Sequence, residues 1–429
     1  MTLIKNFDAL NKTPQRKICL ELIEAALSSI QPQNIIEENF SLKENILTIQ
    51  DKTIDTKKFE RIFLLGFGKG SAGLSKHIEN ILNNLLTEGY VIDLQPESRS
   101  LGIKIQLTIG THPLPSENNL SFTKKTIGQL SNLSAKDLVI VVIAGGGSAL
   151  FELPYKVSLE KLIEVNKSLL LSGATITEMN IVRKHLSLVK GGGLAKLLYP
   201  SSILSVIASD VPGNDLSVIA SGPTVKDETT KQHAIQVLKR YDLLEKLNLS
   251  PDDFLETPKD DIYFQHTLNI LLLNNQTALK AMERKAKELG FKTIIYSDKL
   301  QGEAKFVGKE LIDNTLPHHI LLAAGETTVK VLHSNGKGGR NQELVLAALP
   351  YIDENATIAS FDSDGWDNSP FSGAIGDFKT LENAKSLGLD PNKFIAEDDS
   401  FSFFEKTGDG IITGRLPSNV SDLMVILKG

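Results

Sequence analysis

Cysteine is nearly absent. Cys19 is the single thiol in 429 residues, which excludes internal disulfides and any cysteine-rich zinc site. Its position fits the buried face of a first helix. A basic excess is lacking too: 46 lysines and arginines stand against 52 acids, a net charge of -6. The chain therefore has no electrostatic footprint of a nucleic-acid binder. The longest apolar run, 138–151, is too short to span a bilayer and is interrupted by three glycines. The first 30 residues show no apolar segment followed by a small-residue cleavage site. No G-x-x-x-x-G-K-[ST] occurs, so a conventional P-loop is excluded. These absences lead to the expectation of a soluble cytoplasmic protein with reduced thiols, with neither nucleic acid nor membrane as partner. A homodimer is an allowed assembly.

At roughly 150 residues per domain, the length suits two or three domains. Thr13-Pro14 opens an amphipathic helix with Ile18, Leu22, Ala26 and Ile30 on one face. Strand-like and helix-like segments then alternate. Strands are expected at 61–67, 90–94, 104–109, 138–144 and 203–209, and helices at 74–86, 117–133 and 230–247. Runs rich in Val, Ile and Leu, apolar on both faces, are typical of parallel strands covered by helices. The stretch 250–265 combines two prolines with five acids and has no periodicity. Beyond it the alternation restarts, with strands at 269–273, 293–296, 320–324, 357–361 and 423–427. The expected architecture is α/β: a larger N-terminal Rossmann-like domain with a mostly parallel sheet, residues 1–260, and a smaller C-terminal α/β domain, residues 261–429, with a cleft between them.

Glycine is ordinary in number and uneven in position. Of 32 glycines, 13 fall in four clusters, at 66–73, 145–147, 191–193 and 336–339. The first follows an apolar strand, satisfies G-x-G-x-x-G from Gly68 through Gly70 to Gly73, and has Asp93 twenty residues later. That meets the form of a dinucleotide fingerprint. Lys69 inside the turn suits neutralisation of a phosphate instead, or is a solvated lysine on a tight turn. Gly145-Gly146-Gly147-Ser148 follows a second strand, where open α/β sheets bind ligands; Ser148 can donate to a phosphate or cap the next helix. Before the third cluster, helical spacing would put Arg183, Ser187 and Lys190 on one face, with Lys190 toward the turn. Asp210 and Asp215 flank a Pro-Gly turn after another strand. There they could hold Mg²⁺, accept a proton, or satisfy their own loop. Arg340 opens a helix whose N-terminus is already positive, which suggests an anionic ligand. Asp362, Asp364 and Asp367 follow a strand without calcium-loop spacing.

With these blocks in order, the chain resembles the class II glycerate 2-kinases, the glycerate kinase family with a C-terminal MOFRL domain. The carrying motifs are GFGKGSAG (66–73), THPLPSENN (111–119), AGGGSALFELP (144–154), NIVRKHLSLVKGGGLA (180–195), SDVPGNDLSVIASGPTV (209–225), AGETTV (324–329), GKGGRNQELVLA (336–347) and SDGWD (363–367), with a last block over 402–427. They span nearly the whole chain. The resemblance implies transfer of the γ-phosphate of ATP to the 2-hydroxyl of D-glycerate, with Mg²⁺. It carries the family's catalytic lysine and arginine onto Lys69 and Arg340, and its conserved acids onto Asp210, Glu326 and Asp364. One departure is the loop 413–422, where the family's T-G-P-T-G-T-N-V-N-D reads TGRLPSNVSD, so that loop's geometry is not carried over.

The expected site thus has Lys69, Arg340 and Asp210 as catalytic groups. Gly68, Gly70, Gly145, Gly146, Gly147, Ser148 and Lys190 are expected around nucleotide phosphates. Asp215, Glu326, Asn341 and Asp364 are candidates for substrate or metal. Lys69 and Arg340 would stabilise the transferred phosphoryl as the cleft closes, with Asp210 as general base or Mg²⁺ ligand. The competing expectation is a hydroxypyruvate reductase using a nicotinamide cofactor, resting on the G-x-G-x-x-G turn and Asp93.

Overall fold

Three of the apolar runs, 61–67, 137–143 and 202–208, are buried at almost every position, because helices cover both faces of the sheet they build. The computed structural model describes residues 2–94, 102–211, 213–333 and 335–429. Pro212 of the expected Pro-Gly turn lies outside the described residues. The chain divides into two units, residues 35–272 and residues 1–34 with 273–429.

In the first unit, β1 (Phe40–Lys43), β2 (Ile46–Ile49) and β3 (Lys52–Asp55) form a small antiparallel sheet. The main sheet comprises β4 (Arg61–Phe67), β5 (Leu86–Asp93), β6 (Ile105–Ile109), β7 (Asp137–Ile143), β8 (Ser202–Ala208) and β9 (Thr267–Leu273). Its order is β6-β5-β4-β7-β8-β9, and β6-β5, β5-β4, β4-β7 and β7-β8 pair in parallel. The chain leaves β4 toward β5 on one side and later adds β7 on the other. The C-terminal ends of β4 and β7 therefore border a topological switch point, where such sheets form a ligand crevice. Beneath it Phe67 stacks on Phe151 with ring centroids 4.4 Å apart. The helix expected over 230–247 is two pieces, Lys231–Arg240 and Leu243–Lys246, because Asp242 takes a left-handed φ of 54°.

The second unit carries β10 (Lys292–Leu300), β11 (His319–Gly325), β12 (Ala356–Asp362), β13 (Gly373–Asp377), β14 (Gly410–Ile411) and β15 (Asp422–Lys428). The order is β10-β11-β15-β12-β13-β14. Only β10-β11 is parallel among these pairings. The apolar runs of β11, β12 and β15 look like parallel strands in sequence, yet β15 runs antiparallel to both neighbours. Two-faced burial reports cover, not strand direction. Helix Arg340–Ala348 packs through Leu344, Val345 and Ala348 against Leu321, Ile358 and Met424. Helices Pro14–Ser29 and Asn275–Glu288 pack on each other, the first also on β12 and β15 and the second on β11.

The division differs from one at 260/261 in two ways. Residues 250–265 form a strap on the first unit: the Leu255 amide donates to His185 O at 3.0 Å and Thr257 Oγ1 to Asp227 Oδ2 at 3.1 Å. Strand β9 follows it and adds the sheet's edge. At the other end, helix Pro14–Ser29 belongs with the second unit. Its Arg16 is fully buried there and donates to Asp377 (2.8 Å), Asp409 (2.6 Å) and Thr380 (2.7 Å). Among the described residues no helix is long and apolar enough to cross a membrane.

Candidate active site

In the first unit, the turns after β4 and β7 meet at the switch point. The Lys69 amide donates to Gly145 O at 2.7 Å, which brings Gly68, Lys69 and Gly70 beside Gly145, Gly146 and Gly147. Asp210, at the end of β8, closes the far side. A Cβ on Gly145 would stand 2.2 Å from Asp210 Oδ2, so only glycine lets that carboxylate approach the turn. Lys69, half-buried, is the cation of this cradle. Sequence reasoning brought Lys69, Asp210 and the 145–148 turn to one place, and the structure does the same.

Asp93 has a different role from the one its spacing suggested. It is buried, and its carboxylate accepts from the Gly70 and Ala72 amides at 3.2 and 3.0 Å. It thus occupies the N-terminus of helix Ser71–Leu82, where a dinucleotide's pyrophosphate would sit. A ribose-binding acid would have to face away from that turn.

Lys190 also departs from expectation. Helix Ile176–His185 ends before it, and Ser187 bridges to Pro154, so Arg183, Ser187 and Lys190 share no helical face. Lys190 is 1% exposed and lies beneath the glycine turn. Its ammonium donates to Ser148 O (2.9 Å) and Phe151 O (3.1 Å) and pairs with Glu152 (2.9 Å). Burial lowers its pKa against the pull of Glu152. It holds the turn's shape and presents no donor to an anion. Ser148 does not cap its short helix, whose N-cap is Gly146; its hydroxyl meets that of Ser221 at 3.0 Å. Ser221 Oγ in turn donates to Asn180 Oδ1 at 2.9 Å. Asp215 is exposed and accepts from the Ser217 amide at 2.8 Å, a loop-satisfying turn.

The second unit's polar cluster follows from register. Asp422 pairs across the sheet with both Gly325 and Asp362, which brings the ends of β11, β12 and β15 level. Arg340 sits over them. Its Nε and Nη2 donate to Asp422 at 2.5 and 3.1 Å, and Nη1 donates to Glu326 at 2.6 Å. Asp362 Oδ2 lies 3.6 Å from Nη2. Burial would lower the Arg340 pKa, but Asp422 and Glu326 hold it above its ordinary value. Burial and the facing Asp422 raise Asp362 well above the carboxylate range. Asp422 is itself raised, by burial, despite Arg340 and Asn341.

The helix that Arg340 opens is capped from within the unit. Asp367 accepts from the Asn341 and Gln342 amides at 3.2 and 2.9 Å, so the anion inferred from the helix dipole is the chain's own carboxylate. Asn341 is fully buried and ties Asp422 (2.9 Å) to Ser360 (2.5 Å); it is a strut with no surface toward a substrate. Asp364 is half-buried and accepts from the Trp366 amide at 3.0 Å. Glu326 is exposed, and its ion pair with Arg340 is the one an incoming anion could displace. In the divergent 413–422 loop, Arg415 stacks 4.3 Å over the Trp366 ring. Sequence reasoning missed Asp422 as Arg340's main partner, since 82 residues separate them, and did not single out His112 in the turn after β6.

Comparison with known proteins is consistent across the chain. Residues 18–256 match the model of a domain of unknown function (DUF4147), and residues 319–422 match the MOFRL family. The glycerate 2-kinase of Pyrococcus horikoshii is 35% identical over 96% of this chain and 97% of its own. A crystal structure of glycerate kinase from Thermotoga maritima superposes with a TM-score of 0.85 at 31% identity, covering 96% of this chain and 99% of that one. An Agrobacterium vitis protein that carries a hydroxypyruvate reductase name is 32% identical over 98% of this chain and 96% of its own.

Proposed function

The chain belongs to the glycerate 2-kinase family that joins a DUF4147 domain to a MOFRL domain, and from that membership we propose that it transfers the γ-phosphoryl group of ATP to the 2-hydroxyl of D-glycerate. The observation that carries the reading within the site is the convergence of the Lys69 turn and Asp210 on Gly145. Phosphoryl transfer is catalysed mostly by positioning and charge neutralisation, and a half-buried ammonium beside a glycine turn suits that task. Arg340 is assigned the second cation, its guanidinium pre-oriented by Asp422 so that little entropy is lost when Nη1 exchanges Glu326 for a phosphate oxygen.

Among the described residues no three His, Cys, Asp or Glu side chains group to hold a metal ion. A kinase Mg²⁺ takes one or two carboxylates and completes its shell with phosphate oxygens and water, and Asp210 fits that single protein ligand. When bound, the ion neutralises charge on the phosphates. Asp210 alternatively takes the hydroxyl proton. Asp210→Asn separates the roles: a changed dependence on Mg²⁺ concentration identifies the ligand, and lost turnover with unchanged dependence identifies the base.

Reductase chemistry is disfavoured by Asp93, whose carboxylate is committed to the turn's own amides. The deciding assay compares ADP release and 2-phosphoglycerate formation from D-glycerate and ATP with NADH oxidation by hydroxypyruvate. The first is expected; NADH oxidation without ADP release would overturn the assignment.

A further inference from the structure

The phosphoryl-transfer assignment leaves the turn after β6 without a role. Asn119, fully buried, organises it. Its amide nitrogen donates to Thr111 O and Ala149 O, both at 2.9 Å, and its oxygen accepts from the Thr111 amide at 2.9 Å and from Ser116 Oγ at 3.0 Å. One side chain thus ties the loop carrying His112 to the segment just after the glycine turn. The imidazole lies against Gly146, where a Cβ would stand 2.9 Å from Cδ2 and 3.2 Å from Nε2. Gly146 also has a φ of 73°, which an L side chain rarely adopts. The absence of a side chain there is what admits the ring. His112 therefore borders the same turn that receives the Lys69 amide and packs on Asp210, and the residue is itself exposed.

We propose that His112 is a specificity-determining contact for the acceptor, its neutral imidazole hydrogen-bonding a hydroxyl of the 2-hydroxy acid. This rests on the reading of Lys69, Gly145 and Asp210 as the transfer site. Desolvation and then the Lys69 charge push the ring's titration down to about 4, so at neutral pH it has one donor and one acceptor nitrogen. A nucleotide phosphate calls for added positive charge, which a neutral ring does not supply. A hydroxyl both donates and accepts, and the ring matches it.

The test is steady-state kinetics of the full chain by ADP release, with D-glycerate and ATP varied in turn, for His112→Ala and His112→Gln. The alanine variant is expected to raise the KM for D-glycerate about tenfold or more while the KM for ATP stays within about twofold. Glutamine, neutral with a donor and an acceptor, is expected to restore most of the loss. Should the alanine variant fold poorly, His112→Leu against His112→Gln makes the same comparison with like-sized side chains. A raised KM for ATP with an unchanged KM for D-glycerate overturns the proposal, and so does no change in either. Wild-type chain that releases no ADP with D-glycerate sinks the kinase reading instead, so the two failures are distinguishable.

Discussion

Lys69 and Lys190 both stand next to glycine turns, and their surroundings give them opposite tasks. Lys69 is half-buried at the mouth of the switch-point crevice. Lys69→Ala is expected to lower turnover by roughly 10³-fold or more with little change in melting temperature; near-normal turnover in a folded variant would refute its role. Lys190 is enclosed, with Ser148 O, Phe151 O and Glu152 around its ammonium. Lys190→Met leaves the buried Glu152 carboxylate without its ion-pair partner and with the Leu153 amide as its remaining close donor, an expected loss of about 3–5 kcal/mol in urea unfolding. The sequence pattern could not separate the two lysines, since each reads as a cation beside small residues. Exposure separates them, and exposure depends on where distant segments fold back. Arg340 is a similar case: its position at a helix start was legible, but Asp362 and Asp422, which help balance its charge, come from 22 and 82 residues away.

Among elements, the parallel strands of the first unit were legible because most are apolar runs rich in Val, Ile and Leu, and glycine follows β4, β6 and β7 within two residues. The short β1–β3 sheet and β13 were not. Their sequences, such as KTID and GAIGD, carry charges or glycines of low strand propensity and gain their form only from neighbours. The helix after β4 shows how an element-level rule can hold in outline and differ in use. The G-x-G-x-x-G turn does introduce a helix, but Asp93 supplies the anion at its start. Asp93→Ala is expected to cost about 1–2 kcal/mol, the scale of a lost N-cap, measured by thermal or urea unfolding. Asp93→Ala is also expected to confer no NADH oxidation, since the acid serves the helix. Gly145→Ala tests the turn itself. A Cβ 2.2 Å from the Asp210 carboxylate forces that group away, and kcat is expected to fall far more than stability.

For the whole molecule, the second unit is discontinuous, and no sequence signal announced it. An amphipathic helix at 14–29 has the same apolar stripe whichever sheet it covers; only the burial of Arg16 between Asp377 and Asp409 identifies its partner. Burial alone would raise the pKa of Asp377, but hydrogen bonds and charge from Arg16 hold it below the usual range. With the folded value lower than the unfolded one, this contribution to stability is present above an unfolded pKa of about 3.9 and is lost as pH falls through the folded value. Acid unfolding followed by circular dichroism below about pH 5 is therefore expected to be less steep in Arg16→Met, which removes the cause of the shift. The same variant is expected to be several kcal/mol less stable at neutral pH, since Asp377 loses its ion pair and Asp409 keeps only Lys12, at 2.7 Å.

The order of synthesis turns this discontinuity into a matter of timing. Helix Pro14–Ser29 is made well before strands β12 and β15, on which it packs, because residues 35–272 come between them. At about 5–20 residues per second, the helix waits roughly ten to fifty seconds for the helix it packs on, Asn275–Glu288, and longer for the two strands. During that interval its apolar face, with Leu22, Ile23 and Ala26, has no native surface to cover it, while the inserted unit can already complete its own sheet.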